Sequence, residues 1–532
     1  MSEQEPSPAS AAAARPGDNE VELKLQGRPE ALKALFAGPA IAARATGRGI
    51  TRRLENVYYD TADQRLRARG LAFRVRRDGR RYLQTLKSDD AAGLVAWRGE
   101  WQSPLASAEP DLGLLPAQAN EVLDGLVGPG ELRSLFTTRV RRQTRRLAAG
   151  NGGAPCLIEA ALDLGAIEAD GRSQPIAEIE LELLQGSPKA LYDLALELDA
   201  LAPLQIETRS KSVRGYALAA GEPPAAHKAL PVALKRRATV DAALGRILGA
   251  CVQHWCANQP AALDGRDPEG VHQLRVALRR LRSALSLFRR VIGRERRDWL
   301  SGEAGRILRS LGAGREWDVF LTESLAPVLA ARPDDRSLAA LRAAAETARA
   351  EAYAAVRAAI ADPAYTRFLL QLGRWIEAGG WREDPAPKAQ ARLERPIGAF
   401  ADRVLIKRHR HVLKRGRDFA GLAAAERHRL RIALKKLRYA TEFFYTLYRE
   451  KRAQSYLEGL KELQDRLGHL NDVAVAERLL SSLAERTGPD PGVALAAGSG
   501  LMLGWQARGA AEAEPELRAA WQAFVAREPF WS

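Results

Sequence analysis

Two carboxylates and one ammonium group stand at every second position near the start of the chain, as Glu20, Glu22 and Lys24. Alternate side chains of a β-strand share a face, so these three point to one side of the strand that we predict here. Carboxylates bind hard divalent cations, and an ammonium group binds phosphate oxygens. The solvated face of an ordinary sheet also alternates in this way, so the rest of the chain must separate the two interpretations.

Charged residues alternate with apolar ones in later segments as well. The cationic alternations contain Arg74, Arg76, Lys87, Arg98, Arg139 and Arg141, and a late acidic alternation contains Glu178, Glu180 and Glu182. The carboxylates therefore cluster on the first and last predicted strands, and the cations lie between them. This separation favours a metal held by carboxylates, with Lys and Arg on the other oxygens of a phosphate ligand.

The strands that carry these charges are short and separated by turn residues, which predicts a closed antiparallel sheet or a strongly curved one. We predict eight strands, at residues 21–25, 55–59, 72–77, 81–86, 94–102, 137–147, 156–166 and 178–184. Helical spacing at residues 29–37 and 188–201 predicts two helices packed outside the sheet. The run from Arg139 to Arg142 leaves two registers open, because a slip of one residue reverses the face.

The 532 residues are too many for one core and suggest two to four domains. We predict a disordered extension at 1–18, a strand-rich domain at 19–220, a linker at 221–235 and a helical domain at 236–520. The 81 Lys and Arg exceed the 65 Asp and Glu, for a net charge of +16 that favours anionic partners. Three cysteines and no apolar run of membrane-spanning length indicate a cytoplasmic protein without a membrane segment.

The helical half contains an internal repeat. The segment that begins at His272 recurs 156 positions later at His428, and Leu311-Gly312 recurs at the same offset as Leu467-Gly468. Such a repeat predicts two duplicated helical bundles. Each copy has a cationic helix face without acids, which comprises His272, Arg275, Arg279 and Arg282 in the first and His428, Arg431, Lys435 and Arg438 in the second. Like charges on one face repel, so a polyanion is the predicted ligand, unless acidic helices elsewhere neutralise these faces.

The N-terminal motifs resemble those of the CYTH domains, also called triphosphate tunnel metalloenzymes. The resemblance rests on the Glu20, Glu22 and Lys24 motif, followed in order by Tyr58 to Thr61, Arg74 to Arg76, Lys87, Glu178 to Glu180 and Ser210-Lys211. It implies an eight-stranded antiparallel tunnel that hydrolyses a triphosphate with Mg2+ or Mn2+, and α+β architecture for the whole chain. Implied metal ligands are Glu20, Glu22, Glu178, Glu180 and Glu182. Implied substrate-binding residues are Lys24, Arg52, Arg74, Arg76, Lys87, Arg139, Arg141 and Lys211, with Lys87 and Glu178 as catalytic candidates.

The helical half resembles the CHAD domain, through its two histidine-led basic motifs and its two Leu-Gly segments. That resemblance implies two bundles around a basic groove that binds inorganic polyphosphate, with both basic faces as the binding residues. The whole chain is similar to bacterial inorganic triphosphatases that join the two domains.

Three functions remain open from the sequence. The first is hydrolysis of inorganic triphosphate to diphosphate and phosphate, combined with polyphosphate binding. The second is a binding protein that is targeted to polyphosphate granules and has little catalysis. The third is a tunnel enzyme that acts on thiamine triphosphate, or on ATP as an adenylate cyclase. Nucleic-acid binding is disfavoured because the basic faces lack interleaved aromatic residues, and the sequence does not define an oligomeric state.

Overall fold

The computed structural model describes residues 19–88, 96–128, 130–149, 155–383, 387–487 and 492–531, with the backbone alone at 19–20, 96–99, 387, 469–471, 487 and 510. The predicted extension at 1–18 lies outside the described residues. The chain divides into two compact units, Met1–Pro223 and Pro224–Ser532. The first unit contains the sheet and the second is helical, which confirms the predicted α+β class.

Every predicted strand is present in the described part of the first unit. The strands are β1 (Asn19–Gln26), β2 (Ile50–Asp60), β3 (Leu71–Asp78), β4 (Arg81–Ser88), β5 (Ala96–Leu105), β6 (Arg133–Ala148), β7 (Leu157–Ala169), β8 (Arg172–Gln185) and β9 (Gln205–Ile206). The two-residue strand β9 is an addition that the sequence did not suggest.

The sheet closes on itself. All neighbouring strands are antiparallel, in the order β5-β4-β3-β2-β6-β7-β8-β1, and β1 also pairs with β5. This last pairing joins the two edges into a ring of eight strands, which confirms the predicted tunnel. Because side chains alternate along each strand, every second residue points into the lumen.

Helices cover the outer face of the ring, where most of the apolar side chains lie. They are α1 (Pro29–Ala37), α2 (Pro39–Ala42), α3 (Arg65–Ala68), α4 (Ala117–Leu123) and α5 (Lys189–Leu201). A sixth helix, α6 (Lys211–Ala220), packs instead against inward-facing residues of the ring, among them Phe136, Val140 and Ile176. Leu23 and Leu25 of β1 are fully buried on this face. One outer core joins β3 and β4 to α3 and α4, through Leu66, Leu71, Phe73, Leu86, Ala119 and Leu123. The apolar exterior of the ring is therefore buried, and the polar residues are left for the lumen.

Helix α6 is packed very closely against β6. Its first turn is capped by Ser210, whose Oγ accepts a hydrogen bond from the backbone N–H of Val213. A Cβ atom at Gly215 would lie 2.0 Å from the ring of Phe136, so any other residue there would push the helix away from β6. This contact fixes the position of Lys211 at the start of the helix.

The described residues of the second unit form helices and short helical turns, with one isolated bridge between Thr239 and Pro396. The helices are α7 (Val240–Asp264), α8 (Pro268–Leu287), α9 (Arg294–Ser310), α10 (Gly312–Val319), α11 (Ala326–Ala331), α12 (Arg336–Ala361), α13 (Pro363–Glu377), α14 (Pro387–Leu393), α15 (Ile397–Arg415), α16 (Ala424–Phe444), α17 (Glu450–Thr487) and α18 (Val493–Ala526). Across the described chain, we find no helix with the length and apolar character that crossing a bilayer requires.

The two sequence repeats form α8 and α16, which pack against each other. Phe288, at the end of α8, stacks on Phe400 of α15 with ring centroids 4.9 Å apart. The same ring meets Phe444 of α16 edge-on at 6.5 Å. Arg280 of α8 also donates a hydrogen bond of 2.5 Å to Glu442 of α16. These contacts hold the two repeats, and the basic faces that they carry, side by side.

Candidate active site and basic groove

The tunnel lumen collects charged side chains of both signs from strands that are distant in the sequence. Its lining includes Glu22 and Lys24 of β1, Asn56 and Tyr58 of β2, Arg74 and Arg76 of β3, Lys87 of β4, Arg142 of β6, Asp163 of β7, Glu180 of β8 and Lys211 of α6. Only closure of the ring brings these residues to one cavity.

Three carboxylates form an acidic cluster on one side of the lumen. Asp163, Glu178 and Glu180 each offer an oxygen atom, and these atoms all lie within 4.8 Å of one another. Nζ of Lys211 lies 2.7 Å from Oδ2 of Asp163 and 2.8 Å from Oε1 of Glu180, and it also contacts Glu178. The ammonium group therefore sits among the three carboxylates and neutralises part of their charge.

Nearby cations keep two members of this cluster, Asp163 and Glu180, ionised. Burial opposes the ionisation of Glu180, but Lys211 and Arg142 more than offset it and hold the pKa of this carboxyl well below its ordinary value. The pKa of Asp163 is lowered in the same way, against burial, by Lys211 and Arg142. Nε of Arg142 donates a hydrogen bond of 2.7 Å to Oδ1 of Asp163. At neutral pH Asp163 and Glu180 therefore offer anionic oxygen atoms, the type of ligand that hard divalent cations prefer.

Cations crowd the part of the ring formed by β3 and β4, which lies across from β7 and β8. Repulsion from Arg74, then burial, then repulsion from Arg142 lower the pKa of Arg76 to about 9. Glu100 compensates part of this charge, with Oε2 at 2.8 Å from Nζ of Lys87 and Oε1 at 3.6 Å from Nη2 of Arg74. A polyanion bound here would relieve the remaining repulsion.

In the helical unit, α8 and α16 bring cations of both repeats together in a basic groove. Burial and repulsion from Arg315 and Arg279 lower the pKa of His272 to about 3. Burial and repulsion from Arg431 and Arg279 lower the pKa of Lys435 to about 7. Because Arg279 acts on groups of both helices, it lies between the two repeats.

The paired glycines of the repeat have matching positions in this groove. A Cβ atom at Gly312 would lie 3.6 Å from Nη1 of Arg275, and one at Gly468 would lie 3.9 Å from Nη2 of Arg431. Each arginine follows the repeat histidine by three residues. The duplicated sequence thus produces the same local contact twice.

Two family models match the chain and divide it at the same place as the fold. The model of the CYTH domain matches residues 18–216, and the model of the CHAD domain matches residues 246–481. The chain contains a CYTH domain followed by a CHAD domain.

Individual known proteins are similar to parts of the chain. An inorganic triphosphatase of Haemophilus influenzae is 30% identical over 172 residues, which are 31% of this chain and 46% of that protein. The match thus spans less than half of the relative. The structure of a CHAD domain from the plant Ricinus communis is 35% identical and covers 56% of this chain and 97% of its own, with a TM-score of 0.49. A proposed adenylyl cyclase of Hippeastrum with a dominant triphosphatase activity is 22% identical and covers 38% of this chain and 96% of its own, with a TM-score of 0.30.

Of the predicted substrate-binding residues of the CYTH domain, Lys24, Arg74, Arg76, Lys87 and Lys211 line the lumen, whereas Arg52, Arg139 and Arg141 do not. Arg139 is exposed and pairs with Glu55 and Glu168 on the outer face of the ring. Arg141 is exposed on the same face, because it stands two residues from Arg139 in one strand. The prediction for both was wrong by one residue of register, and the inward arginine of β6 is Arg142.

The remaining candidates of the CYTH domain are Arg52 and three glutamates of β1 and β8, and they differ in exposure and in partners. Arg52 is more than half exposed and pairs with Asp78 at 3.1 Å. Glu22 accepts a hydrogen bond of 2.6 Å from Lys24, whose Nζ lies 3.8 Å from Glu180. Glu182 is half-buried and stands opposite Glu22 in the pairing of β1 with β8. Glu20 belongs to β1, but its side chain lies outside the described atoms.

The predicted groove residues of the CHAD domain also divide into two groups. The first group lies close together, because its other members act as neighbouring charges on His272 or Lys435, and it comprises His272, Arg275, Arg279, Arg431, Lys435 and Arg438. Arg282 instead points to α9, where its Nε lies 3.4 Å from Oγ of Ser301. His428 is exposed at the edge of α16. The structure thus brings six of the eight predicted residues into one cluster.

The sequence analysis did not select four residues that the structure places at these sites. Arg142 and Asp163 complete the tunnel cluster, Arg214 donates a hydrogen bond of 2.9 Å to Glu178, and Arg315 faces the groove. The available signal for Asp163 was one acid between Leu162 and Leu164 in the mainly apolar middle of β7. Arg214 and Arg315 had no distinguishing signal in their local sequence.

Proposed function

We propose that the CYTH domain is a metal-dependent triphosphatase that hydrolyses inorganic triphosphate to diphosphate and phosphate, and that the CHAD domain binds inorganic polyphosphate. One observation carries the catalytic part. A single closed lumen holds Asp163 and Glu180, two members of the acidic cluster, on one side and the cations Arg74, Arg76 and Lys87 on the other. The match to an inorganic triphosphatase supports the choice of substrate.

The acidic cluster suits Mg2+ or Mn2+. All of its donors are carboxylate oxygens, and Oε1 of Glu178 is buried beside the ammonium group of Lys211. Asp163, Glu178 and Glu180 would hold the ion, with Glu22 close to them. When bound, such an ion supplies positive charge to phosphate oxygens and orients a water molecule for attack on phosphorus.

The protein's own side chains would bind and orient the substrate. A triphosphate carries about four negative charges, and guanidinium groups bind its oxygens with two parallel hydrogen bonds. Arg74, Arg76 and Lys87 lie in the lumen to receive them, and Lys211 can reach from the acidic cluster. We assign Glu178 and Lys87 as the catalytic candidates. In this proposal Glu178 orients the groups around Lys211. The role of Lys87 is to stabilise negative charge on the phosphate.

The CHAD groove supports the second part of the proposal. Six basic residues converge there, and burial together with repulsion among them lowers the pKa values of His272, Arg275 and Lys435. A linear polyanion would remove this repulsion, since each phosphate unit adds a negative charge beside a cation. Location in the cytoplasm and association with polyphosphate granules belong to the same proposal.

Polyphosphate binding by the groove is expected to take up a proton at Lys435. Its pKa in the free protein is about 7, below the ordinary 10.5, so the side chain is largely neutral between these values. A bound anion favours the ammonium form, so affinity should fall as the pH rises through this window, by up to about tenfold per pH unit. Calorimetry in two buffers of different ionisation enthalpy measures the proton uptake. The variant Lys435→Arg keeps its charge and should lose most of this pH dependence, whereas an unchanged dependence would assign the titration to another group.

The catalytic proposal is tested by phosphate release from inorganic triphosphate, ATP, thiamine triphosphate and long polyphosphate, each with Mg2+, Mn2+ or a chelator. We expect release from inorganic triphosphate to dominate and to stop with the chelator. Faster turnover of ATP or thiamine triphosphate would identify that compound as the substrate in place of inorganic triphosphate. Polyphosphate binding without release from any compound would instead support a granule-targeted binding protein.

A further inference from the structure

Helix α15 is strongly basic, and the groove does not account for its charges. Eight of its residues are Arg, Lys or His, and its one acid is Asp402. Asp402 is already bound by Arg236 at 2.9 Å and by the hydroxyl of Tyr448 at 2.6 Å. The last two turns of α15 therefore have cations without an acid on the same helix.

These cations meet Lys436 of α16, against which α15 packs, and Arg289 from the turn after α8, and they form a surface that we call the α15–α16 patch. It comprises Arg289, Arg408, His411, Lys414, Arg415 and Lys436. Burial and repulsion from Arg408 and Arg415 lower the pKa of Lys436. Burial and repulsion from Arg289 lower the pKa of Arg408, so the two helices and the turn contribute to one field. All members except Arg408 are exposed.

Acidic partners are lacking at this surface. Among the described residues, none of the five Arg and Lys members of the α15–α16 patch forms an ion pair with Asp or Glu, and Arg415 donates to Nε2 of His411 at 2.8 Å instead. Other exposed cations of the unit are paired, such as Arg342 with Glu346 and Arg508 with Glu512. A cluster of like charges without counter-charge is destabilising by itself and is relieved by an anion.

The α15–α16 patch is separate from the groove. Lys436 and Lys435 are consecutive, so they project about 100° apart around α16. Lys435 interacts with Arg431 and Arg279 in the groove, whereas Lys436 interacts with Arg408 and Arg415. Helix α16 therefore has cations on two sides that face different neighbours.

We propose that the α15–α16 patch is a second binding site for inorganic polyphosphate, so that a long chain engages both sides of α16. This inference rests on the proposed polyphosphate binding by the groove. The ligand chemistry follows from the residues: the patch offers five Arg and Lys charges, and no Phe, Tyr or Trp side chain of α15 or α16 is exposed to stack on a nucleobase. Repeated phosphates without bases fit this surface better than a nucleic acid does.

The test compares full-length proteins in binding short and long polyphosphate over a range of salt concentrations. The patch variant is Arg408→Gln, Arg415→Gln, Lys436→Gln, and the groove variant is Arg279→Gln, Arg431→Gln. A control variant, Arg336→Gln, Arg342→Gln, Arg357→Gln, removes the same charge as the patch variant from exposed positions of α12. Thermal unfolding and circular dichroism verify the fold of each. A charge-retaining patch variant, Arg415→Lys, Lys436→Arg, guards against a folding defect and should bind as the wild type does.

We expect the patch variant to lose affinity for long chains while it binds short chains almost normally. Its slope of log affinity against log salt for long chains should decrease in magnitude by about 2, since three phosphate contacts are lost. Equal loss in the control variant, or unchanged binding of long chains by the patch variant, would overturn the inference and leave the groove proposal intact. The inference would also be overturned if the patch variant lost binding only to DNA oligonucleotides or to anionic lipid vesicles. If the wild type binds no polyphosphate, the groove proposal and this inference both fail.

Discussion

Replacing Glu180 by Gln is expected to lower kcat/KM for inorganic triphosphate by about 100-fold or more. Glu180 belongs to the three-carboxylate cluster and contacts both Lys211 and Arg142. Loss of even an outer-shell partner of a metal typically costs 10- to 100-fold in affinity or activity, so loss of a ligand should cost at least as much. Phosphate release gives the rate, and titration with Mn2+ followed by electron paramagnetic resonance gives the metal affinity independently.

The matched control for this experiment is Arg139→Gln, a change on the outer face of the same ring. Its side chain is exposed and pairs only with surface acids, so the rate should change by less than about twofold. Wild-type activity and Mn2+ affinity in Glu180→Gln would exclude the acidic cluster as the metal site. If Arg139→Gln lost as much kcat/KM as Glu180→Gln, the substrate would contact the outer face of the ring, which would contradict binding in the lumen.

The double variant Arg279→Gln, Arg431→Gln is expected to weaken polyphosphate binding by about 100-fold or more. Arg279 lies between the two repeats, and Arg431 comes from the second repeat. Hydrogen bonds to charged groups contribute about 1.5 to 3 kcal/mol each, so two such losses account for this factor. Fluorescence anisotropy with end-labelled polyphosphate measures the affinity directly.

A general loss of structure is distinguishable from loss of binding in this variant. Both arginines repel neighbouring cations, so their removal should leave the melting temperature unchanged or higher in the absence of ligand. The variant Arg342→Gln, Arg357→Gln removes the same charge from α12 and should retain affinity. Tight binding by the Arg279→Gln, Arg431→Gln protein would show that polyphosphate does not use the groove.

Alternation of apolar and charged residues was sufficient to locate the strands but not to orient all of them. In most of the strands one face is apolar and packs outside, so Arg74 and Arg76 are placed in the lumen without further information. In β6 this rule fails, because Arg139 and Arg141 face solvent while Val140 and Arg142 line the lumen. A lumen that contains charges removes the usual distinction between a polar outside and an apolar inside. Only the pairing of β6 with β2 and β7 decides the register there.

Contacts between distant segments could not be predicted from the sequence, for a different reason. The position of Lys211 depends on how closely α6 approaches β6, which in turn depends on Gly215 beside Phe136. The convergence of the two basic helices depends on the stacking of Phe288 and Phe400 and on their contact with Phe444. The repeat predicted equivalent helices, but not that Arg279 of one would face Lys435 of the other.

The ammonium group of Lys211 gives the tunnel a built-in counter-ion. Many small metalloproteins unfold when a chelator removes the ion that balances their ligands. Here the tethered cation already compensates Asp163, Glu178 and Glu180, with Arg142 beside it. These two cations offset part of the repulsion among the three carboxylates from within the chain, so we expect the ring to fold without divalent ions.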